Sequence, residues 1–214
     1  MSNIFPVIET FAPLIPLAAY LKHRPAKAKW LSVLLIFFVV DICLVAYANF
    51  TVGSLTYNIP AYVLITDISF LCFALVNGFF IKNKKFNRIN CVVIILVILF
   101  SIVNFLWLEG SKYYNSNSSS LASLVLIIYS IIYYKQQLIN PESIFIEKQP
   151  SFWVVSGIFI YAAGNFFLFT FYHLLSVEHG KDEGFAEYIW IVVDCLILIM
   201  NIFFAKGIKC HPKK

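Results

Sequence analysis

The chain alternates between long apolar stretches and short polar connections. Seven stretches reach the roughly 20 mainly apolar residues that cross a hydrocarbon core: about 5–22, 30–50, 60–81, 89–108, 119–139, 152–177 and 186–206. Lipid offers no partner for backbone polar groups, so segments of this length are helices. The pattern predicts one all-α domain over residues 1–214, a polytopic bundle of seven transmembrane helices. The connections are about ten residues at most, too short for a separate catalytic or signalling domain. Any output is therefore expected from the bundle itself or from another chain.

The charges orient the bundle. Of 16 Lys and Arg, fourteen fall in every second connection or in the tail. They are Lys22, Arg24, Lys27 and Lys29; Lys82, Lys84, Lys85 and Arg88; Lys135 and Lys148; and Lys206, Lys209, Lys213 and Lys214. Only Lys112 and Lys181 fall in the other set, and the last loop there is acidic, with Glu178, Asp182 and Glu183. This positive-inside bias predicts an N-terminus outside and a C-terminus in the cytoplasm of a bacterial inner membrane. The opening MSNIFPVIETF has neither a basic n-region nor a following small-residue cleavage site, so the first helix is expected to be retained.

Composition agrees. Hydrophobic residues make up 61% of the chain and charged residues 13%, against about 45–50% and 25% in soluble domains. The net charge of +5 thus marks topology and meets anionic headgroups, and no nucleic acid is implied. The lipid bilayer is the first partner. Cys43, Cys72, Cys91, Cys195 and Cys210 all lie in spans or toward the basic side, which leaves no disulfide framework and no CxxC metal motif. Trp30, Trp107, Trp153 and Trp190 fall near span ends, where amphipathic rings favour the headgroup layer.

Candidate chemistry rests on acids within the spans. Glu9, Asp41, Asp67 and Asp194 have no Lys or Arg at comparable depth. Each such residue costs about 2.5–3.5 kcal/mol on insertion scales, which invites a functional reading. They pair with neutral donors, bind a cation, share protons or face water. Asp67, Asp194, Asn104, Asn165 and His173 all fall in the half of their spans away from the basic loops, while Asn77 and Asn201 lie on the basic side. Helical spacing aligns Glu187, Asp194 and Asn201; Asp67, Phe70, Ala74 and Asn77; and Glu9, Pro13, Pro16 and Tyr20. Ser116, Ser120, Ser123 and Ser130 form a further stripe, and Gly157 and Gly164 are seven apart; small residues so placed usually mediate helix packing.

The resulting expectation is an outward-open polar pocket. Its walls are Asp41, Asp67, Asn104, Asn165, His173 and Asp194, and its rim is Trp107, Tyr47 and Tyr188. It would take a small molecule or a cation. Three functions are compatible: a sensory or ligand-recognising module working through a partner chain; a small-solute or cation transporter using the buried Asp residues; and a membrane-embedded lipid hydrolase. No HExxH, GxSxG or paired-His spacing is present, and span 7 has no mid-membrane Lys for a retinal Schiff base. No catalytic residue, metal ligand or cofactor is assigned.

Two segments carry a resemblance, YNSNSSSLASLVLIIYSIIYY at 114–134 and FWVVSGIFIYAAGNFFLF at 152–169, with PLIPL at 13–17 and the run from Asp67 to Phe70. The chain resembles the uncharacterised small seven-transmembrane proteins of Bacteroidetes, some of which are encoded near or fused to sensor histidine kinases. The matching positions are Asn115, Asn117, Ser118, Phe152, Trp153, Gly157, Tyr161, Gly164 and Asn165. Where that family carries a basic residue and then an acid, this chain has Ser119 and Ala122. The resemblance implies a membrane partner such as a sensor kinase, and no reaction.

Overall fold

The computed structural model describes the backbone of residues 5–50, 55–110, 115–141, 143–178 and 183–213. Side chains are described there except at 5–7, 49–50, 55–58, 173–178 and 183–188. Lys112, Lys181, Asp182 and Lys214 lie outside the described residues, as do the side chains of His173, Glu178, Glu183, Glu187 and Tyr188.

The helices are α1 (Phe5–Phe11), α2 (Leu14–His23), α3 (Lys29–Phe50), α4 (Leu55–Phe80), α5 (Lys84–Val103), α6 (Ser116–Ile139), α7 (Pro150–Glu178) and α8 (Glu183–Cys210). A π-helical turn, Asn104–Leu108, extends α5. Among the described residues, helices α3 to α8 are the six long and apolar enough to cross a membrane. At about 1.5 Å per residue each rises some 30 Å or more, the thickness of a hydrocarbon core.

The first predicted span is instead two short helices. The break falls at Ala12–Pro13, and its cause is local. Pro13 has no N–H to give to the Glu9 carbonyl, and its ring excludes the straight continuation of α1. The chain restarts with one tightened bond, Ile15 N–H to the Ala12 carbonyl at 3.1 Å, and a long helical one, Leu17 N–H to that of Pro13 at 3.4 Å. Pro16 lies in the first turn of α2, where a missing donor costs nothing.

Helix α7 packs along both α6 and α8, α3 along α4, and the broken pair α1–α2 against α8 and α3. The two glycines of α7 set the α7–α8 approach. A Cβ on Gly157 would stand 2.9 Å from Phe203 Cβ and 3.2 Å from the Met200 carbonyl oxygen. One on Gly164 would stand 2.3 Å from Leu196 Cδ1. Helix α5 is peripheral, presenting Ile95, Leu96 and Leu99 to the lipid side. The centre is aromatic. Phe73 is fully buried and meets Phe37 (ring centroids 5.0 Å), Phe204 (5.8 Å) and Tyr161 (6.1 Å).

Contacts also show that the basic connections share one end. Trp30 packs on Phe80 and His211, Phe80 meets Tyr133, and Tyr133 O–H donates to Ser151 Oγ at 2.8 Å. The Lys206 ammonium sits 3.8 Å over the Trp153 ring. Arg24 ends α2 in the left-handed region at φ 50°, its N–H closing on the Tyr20 carbonyl. From there the chain pairs with the tail through the Pro25–Lys213 bridge.

Candidate functional site

Three helices bring carboxyl groups together at the end opposite the basic clusters. Helix α1 packs against both α3 and α8, so Glu9 stands between Asp41 of α3 and Asp194 of α8, within Coulombic range of each. No Lys or Arg occurs in α1, α4 or α7, and those of α3 and α8 sit at the basic end. Among the described residues no group of three His, Cys, Asp or Glu is close enough to hold a metal ion. The acids are thus near enough to repel, yet not collected into one coordination sphere.

Glu9 and Asp41 line a cavity of about 40 Å³, closed by Phe37, Tyr62, Thr66, Ser69, Phe73, Tyr161, Phe169 and Trp190. A second cavity of about 30 Å³ lies on the far side of the same α4 and α7 residues, bounded by Ser119, Ser123 and Asn165. The two share Thr66, Ser69, Phe73, Tyr161 and Phe169, so they are neighbours divided by those side chains. A water needs roughly 10–15 Å³ on this measure, and organic-ligand sites run to hundreds. Each cavity therefore suits one to a few waters or a small ion. Two buried acceptors nearby lack donors: Asn165 Oδ1 in the wall of the second cavity, and Asp194 Oδ2, which lines neither. Such orphans ordinarily have water or an ion as partner.

Asp67 and Asn104 belong to a different construction, a network tying α4, α5 and the start of α6. Ser101 Oγ–H donates to Asp67 Oδ2 at 3.1 Å, and Asn115 Nδ2 donates to Ser101 Oγ at 3.0 Å. Asn104 Nδ2 donates to Asn115 Oδ1 and to Glu109 Oε2. Glu109 in turn accepts from Ser116 Oγ and from the Asn117 backbone N–H. Its carboxylate thus caps the N-terminus of α6, where the helix dipole favours negative charge. The π turn at Asn104–Leu108 swings the Asn104 side chain into this network, completely buried.

The predicted pocket therefore divides. Asp41, with Glu9, lines one cavity; Asn165 lines the other; Asp194 stands beside Glu9; Asp67 and Asn104 are held in the polar network. Trp107 reaches neither cavity. It is 75% exposed, facing outward from the π turn, and Tyr47 is 55% exposed. The side chains of His173 and Tyr188 lie outside the described residues. Sequence reasoning missed Thr66, Ser69 and Tyr161 as wall residues and Glu109 as a cap. An acid just before the Asn115–Ser120 run was the available signal for the cap. Compared with family models, curated proteins and solved structures, the chain matches none.

Proposed function

We propose that this is a multi-pass protein of a bacterial inner membrane that binds a proton or a small, partly hydrated cation at Glu9, Asp41 and Asp194 and conducts it toward the opposite face. The observation that carries this reading is the pairing of two carboxyls, Glu9 and Asp41, with a water-sized cavity, beside a third, Asp194, whose buried Oδ2 lacks a donor. The break in the first helix supports it. Discontinuous helices free backbone carbonyls at membrane depth, and transporters use these beside acids to hold cations. Residues 5–23, roughly 28 Å if helical, would then be a seventh, interrupted crossing. The distribution of basic residues supports a cytoplasmic C-terminus under the positive-inside rule.

Cavity volume favours a cation over an organic solute. A sensory role through a partner such as a sensor kinase rests on the family resemblance, and cation occupancy would serve it as well. The test is reconstitution into liposomes with imposed Na⁺, K⁺ and pH gradients. Wild type is expected to dissipate one of these, Glu9→Gln and Asp41→Asn are expected to abolish the flux, and the surface variant Glu147→Gln is expected to keep it. A wild-type protein that moves none of these ions and whose thermal stability ignores all of them would sink the proposal.

A further inference from the structure

The basic end holds a second cavity with different chemistry. It lies between the last turns of α2 and α8, measures about 310 Å³, and is walled by Ala19, Lys22, His23, Lys209 and Lys213. Among the described residues no carboxylate lines it. Its frame is built from backbone as well as side chains. The Pro25–Lys213 bridge and the Ala26 N–H to Pro212 carbonyl bond (2.8 Å) clamp the tail to the α2–α3 connection. His23 Nε2 bonds the His211 carbonyl at 2.7 Å. Three lysines are thus held around one space.

Charge bookkeeping leaves this space positive. Lysines at helix C-termini ordinarily offset the roughly −0.5 charge of each terminus. Here two termini meet three lysines, leaving a net charge of about +2. That is the complement of an anion with one or two charges. The surroundings say which kind. Leu21, the neighbour of Lys22, is 71% exposed. The adjoining face of α2 forms an apolar groove against α3, about 460 Å³, lined by Leu14, Leu17, Ala18, Leu35 and Val39. Bare leucines immediately beside the lysines put the cavity at the boundary between hydrocarbon and headgroups.

We propose that this cavity binds the phosphate of an anionic phospholipid headgroup, with Lys22, Lys209 and Lys213 as its cationic ligands. Basic recesses between transmembrane helices are suited to this. A volume of about 310 Å³ lies in the range of organic-ligand sites, room enough for a phosphoglycerol headgroup.

The test uses the full chain, extracted from bilayers of phosphatidylethanolamine and phosphatidylglycerol, with retained lipid measured by native mass spectrometry. Wild type is expected to keep one phosphatidylglycerol in preference to phosphatidylethanolamine. The triple variant Lys22→Gln, Lys209→Gln, Lys213→Gln is expected to hold it roughly a hundred-fold more weakly. The variant Lys84→Gln, Lys85→Gln, Arg88→Gln removes equal charge from the same end and should retain it. Lys213→Gln alone should weaken retention about five-fold, which keeps the proposal testable if the triple variant misfolds. Equal loss in both triple variants would reveal diffuse surface attraction and overturn the site. Displacement of the bound species by inorganic phosphate would overturn its assignment to lipid.

Discussion

At the scale of the residue, side chains here are polar for two separate reasons. Asn115 is structural: it donates to Ser101 and accepts from Asn104 and from Ser118 (3.0 Å). Asn115→Ala orphans these groups, each costing about 1–3 kcal/mol when buried without a partner. A fall of several degrees in thermal unfolding is expected, with any ion flux of the folded fraction intact. Asp194 is different, since its Oδ2 has no donor and its neighbour in charge is Glu9. Asp194→Asn removes a like charge and is expected to raise the unfolding temperature while weakening cation dependence, measured by thermal shift at several salt concentrations. The identity of the acids was legible in the sequence, because an unpaired carboxyl in an apolar span is conspicuous. Their grouping was not. Glu9, Asp41 and Asp194 lie on three helices, and no helical periodicity records which helices touch.

At the scale of the element, the six long helices were read from hydropathy to within a few residues at most ends. The first was not, although Pro13 and Pro16 were visible. A hydropathy average counts proline as one more residue and ignores the donor it lacks. The π turn was not legible either, since hydropathy carries no sign of the residue it inserts; Trp107, at its end, is exposed rather than on a pocket rim. Packing offers a sharp contrast between two glycines. Gly157→Ala presses on Phe203 Cβ and the Met200 carbonyl, which cannot step aside, whereas Gly164→Ala meets the tip of Leu196, which can rotate. Gly157→Ala is therefore expected to cost about 1–3 kcal/mol, and Gly164→Ala to cost less despite the closer contact, by thermal unfolding in detergent. The tail clip adds a pH dependence. Burial holds the His211 imidazole below its ordinary value of 6.5, a hydrogen bond to the Ala26 backbone works against this, and His23 reinforces it. Such a group takes up its proton more readily when released. Its stabilising contribution is complete above about pH 6.5 and is lost as the pH falls below it. Tail detachment followed by Trp30 fluorescence should grow on acidification, and His211→Gln should flatten that response.

At the scale of the whole molecule, the bundle is polarised. Carboxyl groups and water-sized space lie toward one end, and lysines and a headgroup-sized recess lie at the other. Single cysteines placed at Lys84 and at Asn117 in a background without the native ones should react with an impermeant maleimide from opposite faces of the membrane; labelling of both from one face would refute the orientation. Between the two ends stands Phe73, which floors both small cavities and is locked by Phe37, Phe204 and Tyr161. That cluster is a packed apolar layer. Under the proposed function, an ion at the carboxyls would still face this packed aromatic layer before reaching the basic end. If the site binds ions as proposed, conduction would therefore require the Phe73 cluster to repack, and the aromatic layer rather than the carboxyls would set the rate.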